Sequence, residues 1–156
     1  MIKNLADKLS KALTADRSAA DNAEQREAAI RTATAVLMTE IARADYEYDE
    51  TEFSTLLELI AKHFQISPDE AAELADAANV TAEESVSVQG FTRLLNENLD
   101  EKEREHIVSL LWQVAYADGR LDKYEDSLVS RIADLLYVSR GRVMRLKHDA
   151  DPDAED

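Results

Sequence analysis

Two short stretches of the chain carry carboxylates at the same spacing, ADYEYDETE at 44–52 and ADGRLDKYE at 117–125. In each stretch an aspartate is followed four residues later by a second aspartate, and three residues after that by a glutamate. Hard cations such as Ca²⁺ and Mg²⁺ prefer oxygen ligands and take roughly six to eight of them. The spacing therefore makes a divalent-cation site one candidate, with calcium or magnesium favoured over zinc. Its ligands would come from Asp45, Asp49, Glu52, Asp118, Asp122 and Glu125.

Neither stretch is an EF-hand. That loop requires glycine at position 6 and glutamate at position 12. Counted from Asp45, those positions hold Glu50 and Leu56, and the second stretch has Arg120 at position 3. Any cation site here would have another geometry.

Helix capping is the second explanation of the acids. Asp49 with Glu52, and Asp122 with Glu125, have the D-x-x-E spacing of an N-cap aspartate and a glutamate that reaches back to it. Such caps contribute about 1 kcal/mol each. Capping does not explain the first aspartate of each stretch, because an acid at a helix C-terminus opposes the helix dipole. Both explanations stay open.

The two stretches also differ in charge. Residues 38–58 contain seven acids and one arginine, whereas residues 111–131 contain four acids and three basic residues. Charge favours the first stretch as a cation site. The glycine at 119, where the first stretch has Tyr46, favours a tight turn in the second. Which of the two acidic stretches would bind a cation is left open.

Helices must position these acids. The chain has only 3 glycines and 2 prolines, and apolar residues recur at spacings of three and four. This pattern predicts an all-α bundle of about seven to eight helices. Helices are expected over about 24–44, 50–64, 67–78 and 88–96, and then from Asp100, from Asp122 and from Ser139. Residues 79–90 are expected to link the two halves.

The two ends of the chain differ from the middle. Ile2, Leu5, Leu9 and Leu13 predict an N-terminal amphipathic helix, with a connector, over residues 1–20. This helix could fold back onto the domain or lie on a membrane or partner surface. Residues 149–156 carry five acids and are predicted to be a disordered tail.

The chain contains an internal repeat. Asp45, Asp49 and Glu52 match the second trio of acids at an offset of 73, and the segment from Leu56 to Ser67 matches the one that ends at Ser139 at an offset of 72. The domain over 21–148 is therefore predicted to hold two pseudo-symmetric three-helix repeats, about 24–78 and about 100–148.

Three segments resemble the tellurite-resistance TerB-like family. They are VAYADGRLDKYEDSLVSRIADLLYVS, its first copy IARADYEYDETEFSTLLELIAKHFQIS, and FTRLLNENLDEKEREHIVSLLWQVAYADG. The resemblance covers about residues 25–150. It implies an all-α bundle of about seven helices in two halves, found in bacterial metal-stress and chemical-stress systems, with no catalytic activity. A similar domain is attached to some membrane-anchored J-domain co-chaperones. Divalent-cation binding is implied at both acidic trios.

Composition excludes several other functions. The net charge of −15 repels phosphate backbones, so no nucleic-acid partner is expected. The absence of cysteine removes thiol chemistry and zinc fingers. The longest nearly apolar run, IVSLLWQVAYA, is about half the length that a membrane span needs. His63, His106 and His148 lie far apart in the sequence and show no metal-ligand spacing.

The leading functional prediction is a non-enzymatic acidic domain in the bacterial stress response, which senses a divalent cation and acts as an interaction adaptor. The alternative is an ion-independent scaffold, co-chaperone-like or membrane-associated. A metal-dependent hydrolase is a third, minor hypothesis. We expect a cytoplasmic protein that binds a protein partner. One location for this partner is the inner membrane surface. The basic segment Arg140, Arg142, Arg145 and Lys147 is expected to pair with the protein's own acids.

Overall fold

The computed structural model describes residues 21–44, 50–84, 87–117 and 119–154, apart from the side chains of residues 21, 22, 51 and 52. Over these ranges the chain forms seven α-helices and no strand, which confirms the all-α prediction. The N-terminal helix predicted over residues 1–20 lies outside the described residues. The helices are α1 Asp21–Ala42, α2 Glu50–Phe64, α3 Pro68–Glu84, α4 Gln89–Asn98, α5 Glu101–Ala115, α6 Lys123–Leu135 and α7 Arg140–Ala150.

Helix α1 is the centre of the bundle and packs against α2, α3, α4, α5 and α6. Its second half is buried on nearly every side rather than on a single apolar face. The buried threonines Thr32, Thr34 and Thr39 are tolerated there because each hydroxyl donates to the backbone carbonyl four residues earlier, at 2.8–3.0 Å. A helix enclosed in this way has no strong amphipathic period.

Two of the predicted helix starts are complete capping boxes. At α5 the Glu103 N–H donates to Asp100 Oδ1 at 2.9 Å, and the Asp100 N–H donates to Glu103 Oε1 at 2.9 Å. At α3 the same reciprocal pair joins Ser67 and Glu70, at 3.1 and 3.3 Å. Local hydrogen bonding thus fixes where these two helices begin.

The turns that follow α2 and α6 have the same backbone geometry. Gln65 and Tyr137 both adopt positive φ, at 54° and 58°. In each turn the next residue donates its N–H to a carbonyl five residues back: Ile66 to Ala61, and Val138 to Ala133, both at 3.1 Å. These turns stand at the predicted offset of 72 residues. Duplication of the whole three-helix unit stays a prediction.

Helix α3 differs from the expected boundaries. It continues to Glu84, so residues 79–84 are helical rather than part of a link. Thr81 and Ala82 are buried in this last turn and a half, and the Thr81 hydroxyl donates to the Ala77 carbonyl at 2.9 Å. The β-branched, polar sequence disfavours a helix in isolation, but burial against the bundle outweighs that preference.

The C-terminal segment is more regular than its composition predicted. Helix α7 extends to Ala150, and residues 151–154 form a turn in which the Asp153 N–H donates to Asp151 Oδ1 at 2.9 Å. The difference arises because α7 is docked. Val143 is buried, and Lys147 Nζ lies 2.8 Å from Asp126 Oδ1 and 5.4 Å from the centre of the Trp112 ring.

Three of the four basic residues of α7 named above pair with the protein's own acids, as expected. Arg142 forms an ion pair with Glu105 on α5, and Arg145 lies 3.6 Å from Asp149 on its own helix. Lys147 pairs with Asp126 on α6. The segment is therefore used largely for holding α7 in place. None of the described helices is long and apolar enough to cross a bilayer.

Candidate functional site

The structure describes only part of the predicted acidic set. Asp45, Asp49 and Asp118 lie outside the described residues, and Glu52 lies in α2 with its side chain outside them. Asp122 and Glu125 are fully described. The prediction that all six acids form cation sites therefore stays a prediction, and the geometry below concerns the second acidic stretch.

Asp122 is the N-cap of α6. Its Oδ2 accepts the backbone N–H groups of Tyr124 at 2.8 Å and of Glu125 at 3.3 Å, with the extended backbone that a cap residue requires. The Asp122 half of the predicted cap is confirmed at this position. One carboxylate oxygen thus already satisfies two backbone donors at the helix start.

Glu125 differs from the glutamates of the two complete capping boxes. Glu70 and Glu103 are exposed and accept the N–H of their cap residue. Glu125 is only 1% exposed and is the single buried acidic residue among those that the structure describes. A buried carboxylate is stable only when its charge is compensated by hydrogen bonds, a proton or a cation. Its place in the first turn of α6 supplies part of that compensation through the helix dipole.

A tight turn carries the chain from α5 towards Asp122. Gly119 adopts a φ of +87°, and its N–H donates to the Tyr116 carbonyl at 2.8 Å. This confirms the sequence argument that glycine serves a tight turn with positive φ here. The corresponding residue of the first stretch, Tyr46, lies outside the described residues.

No group of three or more histidines, aspartates and glutamates is placed to hold a metal ion within the described ranges. Four of the six predicted ligands contribute no side chain to those ranges. A cation at the second turn would therefore draw on Asp122, Glu125 and Asp118 together, and that arrangement is a proposal.

A second constellation was missed by sequence reasoning. His63, in the last turn of α2, stacks on His106 of α5, with ring centres 4.7 Å apart and ring planes at 26°. Burial and the neighbouring His106 lower the pKa of His63 below its ordinary value. No sequence signal could have found the pair, because the residues belong to helices that meet only through tertiary packing.

One further carboxyl is perturbed near the first acidic stretch. Burial raises the pKa of Glu40, on α1, above its usual range, and the nearby Arg43 guanidinium opposes that rise. The end of α1 therefore holds a carboxyl that ionises less readily than a surface acid.

The described residues define a class of protein: an all-α bundle with one buried acid at the start of a capped helix. A family model described as tellurite resistance protein TerB matches residues 31–148. The chain belongs to this family, and the match takes in both acidic stretches. Searches of curated proteins and of solved structures gave no significant match.

Proposed function

We propose that this chain is a non-enzymatic adaptor domain of the bacterial metal and chemical stress response, and that its clustered carboxylates bind a divalent cation. The observation that carries the proposal is the buried Glu125 beside the cap residue Asp122, in a turn that the family match includes. Calcium or magnesium is preferred over zinc, because the candidate ligands are all oxygen donors and the chain has no cysteine.

Charge supports cation binding and a basic partner. A net charge of −15 raises the local concentration of cations and steers positively charged surfaces towards the protein. A bound cation would neutralise acids that repel one another and so change the surface presented near α6. The adaptor would then meet its protein partner, in the cytoplasm or at the inner membrane surface, in a cation-dependent way.

Isothermal titration with Ca²⁺, Mg²⁺ and Zn²⁺ tests the proposal. We expect Ca²⁺ or Mg²⁺ to bind with a Kd in the millimolar range or tighter. Asp118→Ala and Glu125→Gln should weaken binding at the second turn about tenfold, a loss of about 1.4 kcal/mol, and Asp45→Ala reports on the first. Asp76→Asn, an exposed acid on α3, is the matched control. Absence of binding, or equal binding in all variants, overturns the cation role.

The alternative is an ion-independent interaction scaffold. It is favoured by the Asp122 carboxylate, which already accepts two backbone N–H groups and so has a structural role without any ion. A co-chaperone-like or membrane-associated scaffold should capture the same partner with and without a chelator. A partner lost on chelation supports the cation-dependent adaptor instead.

A further inference from the structure

A groove lies at the start of α5, the helix whose other end leads into the second acidic turn. It has a volume of about 660 Å³ and lies between the first half of α1, the end of α2 and the start of α5. Its apolar surface comes from Ile30, Phe64, Leu99 and Ile107. Lys102 is thirteen residues before the last residue of α5, so the groove is about 20 Å from that turn, at 1.5 Å per residue.

The charge around this groove differs from that of the whole protein. Two acids line it: Glu27 lies 3.7 Å from Arg31, and Glu103 keeps its negative charge while it accepts the Asp100 N–H. Arg26 and Lys102 also line it, and neither forms an ion pair with a described residue. With the histidines neutral, the two basic and two acidic residues of the lining balance, and protonation of the histidines makes the lining positive. The chain as a whole is strongly acidic.

The stacked histidines occupy the same groove. His63 is half-buried, His106 is exposed, and both line its wall. Protonation of both rings would place two like charges 4.7 Å apart. This arrangement is unfavourable unless a bound anion compensates the positive charge. The charged and titratable groups that face the pair are Arg26 and Glu27 on α1, Lys62 on α2, and Lys102 and Glu103 on α5.

We propose that this groove binds a small doubly charged oxyanion, and that binding is coupled to protonation of His63 and His106. Arg26 and Lys102 supply fixed positive charge, and the protonated imidazoles supply N–H donors for the oxygen atoms. Because protons and anion stabilise each other, affinity rises as the pH falls.

The net negative charge of the protein does not prevent such a site. Exposed charges more than about 8–10 Å apart are largely screened at physiological salt. The nearest charges therefore dominate the potential in the groove, and binding in the millimolar range is expected.

Sulfate is the probe of choice, because it stays a dianion across the whole pH range used and any pH dependence reports the protein. Histidine ring signals of the full chain are followed by NMR from pH 8 to pH 5, in sulfate and in chloride at equal ionic strength. We expect sulfate to raise the pKa values of His63 and His106 by about 0.5 units or more relative to chloride. His148, exposed on α7, should not move.

Affinity is then measured by titrating sulfate at pH 7.5 and pH 5.5, with an expected gain of about tenfold at the lower pH. His106→Asn should remove most of that gain, Arg26→Gln should weaken binding at both pH values because a fixed positive charge is lost, and His148→Asn should change neither. Equal pKa values in sulfate and chloride, a gain that persists in His106→Asn, or an affinity that is unchanged in Arg26→Gln overturns the proposal. Circular dichroism of each variant confirms that it is folded. If Arg26→Gln is not folded, Lys102→Gln replaces it, and if His106→Asn is not folded, His63→Gln replaces it.

Discussion

At the scale of single residues, one sequence pattern has two structural outcomes. Asp100 with Glu103 and Asp122 with Glu125 share the D-x-x-E spacing, and both aspartates cap a helix. Glu103 returns a hydrogen bond at the surface, whereas Glu125 is buried. The caps could be predicted because they depend on neighbours within four residues. The burial of Glu125 could not, because it depends on how α6 packs against the other helices.

Gly119 gives a test of the second turn. Because φ is +87° and a Cβ there would have no atom within 4 Å, the cost of Gly119→Ala comes from the backbone alone. We expect a loss of about 1–2 kcal/mol in the free energy of unfolding, measured by urea denaturation. Gly141→Ala in α7, equally uncrowded, is the matched control and should be neutral or stabilising by up to about 1 kcal/mol. Equal stability of the two variants would contradict the strained turn.

At the scale of elements, boundaries set by local chemistry agree with the sequence and those set by packing do not. Helix α2 spans Glu50–Phe64 as predicted, and α5 begins directly after its Asp100 cap. Helix α3 ends at Glu84 rather than at the predicted Ala78, because burial against the bundle stabilises its last turns. The turns after α2 and α6 were located by their Ile-Ser and Val-Ser pairs. Their left-handed residues were not, since Gln65 and Tyr137 occupy positions where glycine is the usual signal.

Substitutions at Tyr137 can distinguish the cost of backbone strain from the loss of side-chain packing. It is 76% exposed with φ at 58°, so the ring contributes little to the core. Tyr137→Asn and Tyr137→Val lose the same ring, but asparagine tolerates the left-handed region and a β-branched residue does not. We expect the valine variant to be less stable than the asparagine variant by about 1–2 kcal/mol in urea denaturation. Equal stabilities would mean that the turn relaxes out of the left-handed region.

At the scale of the whole molecule, the two candidate sites lie towards opposite ends of one helix, α5. The end of α5 leads into Gly119, Asp122 and Glu125, and its start carries Lys102 and His106. One end carries the acidic stretch, and at the other end Arg26 and Lys102 balance the acids Glu27 and Glu103 beside the two histidines. The separation explains how a strongly acidic protein can offer sites of opposite chemistry without mutual neutralisation, since the distance exceeds the Debye length.

The stability of the whole molecule should fall on acidification through His63. Its pKa is lowered in the folded state, so its contribution is fully present above the ordinary histidine pKa and is lost as the pH falls from there through the folded pKa. Glu40, whose pKa is raised, acts in the opposite direction, since its contribution is lost as the pH rises above its ordinary value.

The His63→Gln variant isolates the contribution of His63 to the pH dependence of stability. Between pH 7.5 and pH 5.5, in chloride buffer, the wild type should lose more free energy of unfolding than the variant. The difference should stay below about 1 kcal/mol, because His63 is only half-buried and solvent screens it. Chemical denaturation at each pH measures it. An identical pH slope in the two proteins would contradict the lowered pKa.

Trp112 is the one tryptophan of the chain, and it is fully enclosed beneath the Lys147 ammonium group of α7. The wavelength at which an indole emits shifts to the red when water reaches it. The intrinsic fluorescence of the unlabelled protein is therefore an optical reporter of the C-terminal helix, and it reads detachment of that helix separately from any chemistry at the two ends of the bundle.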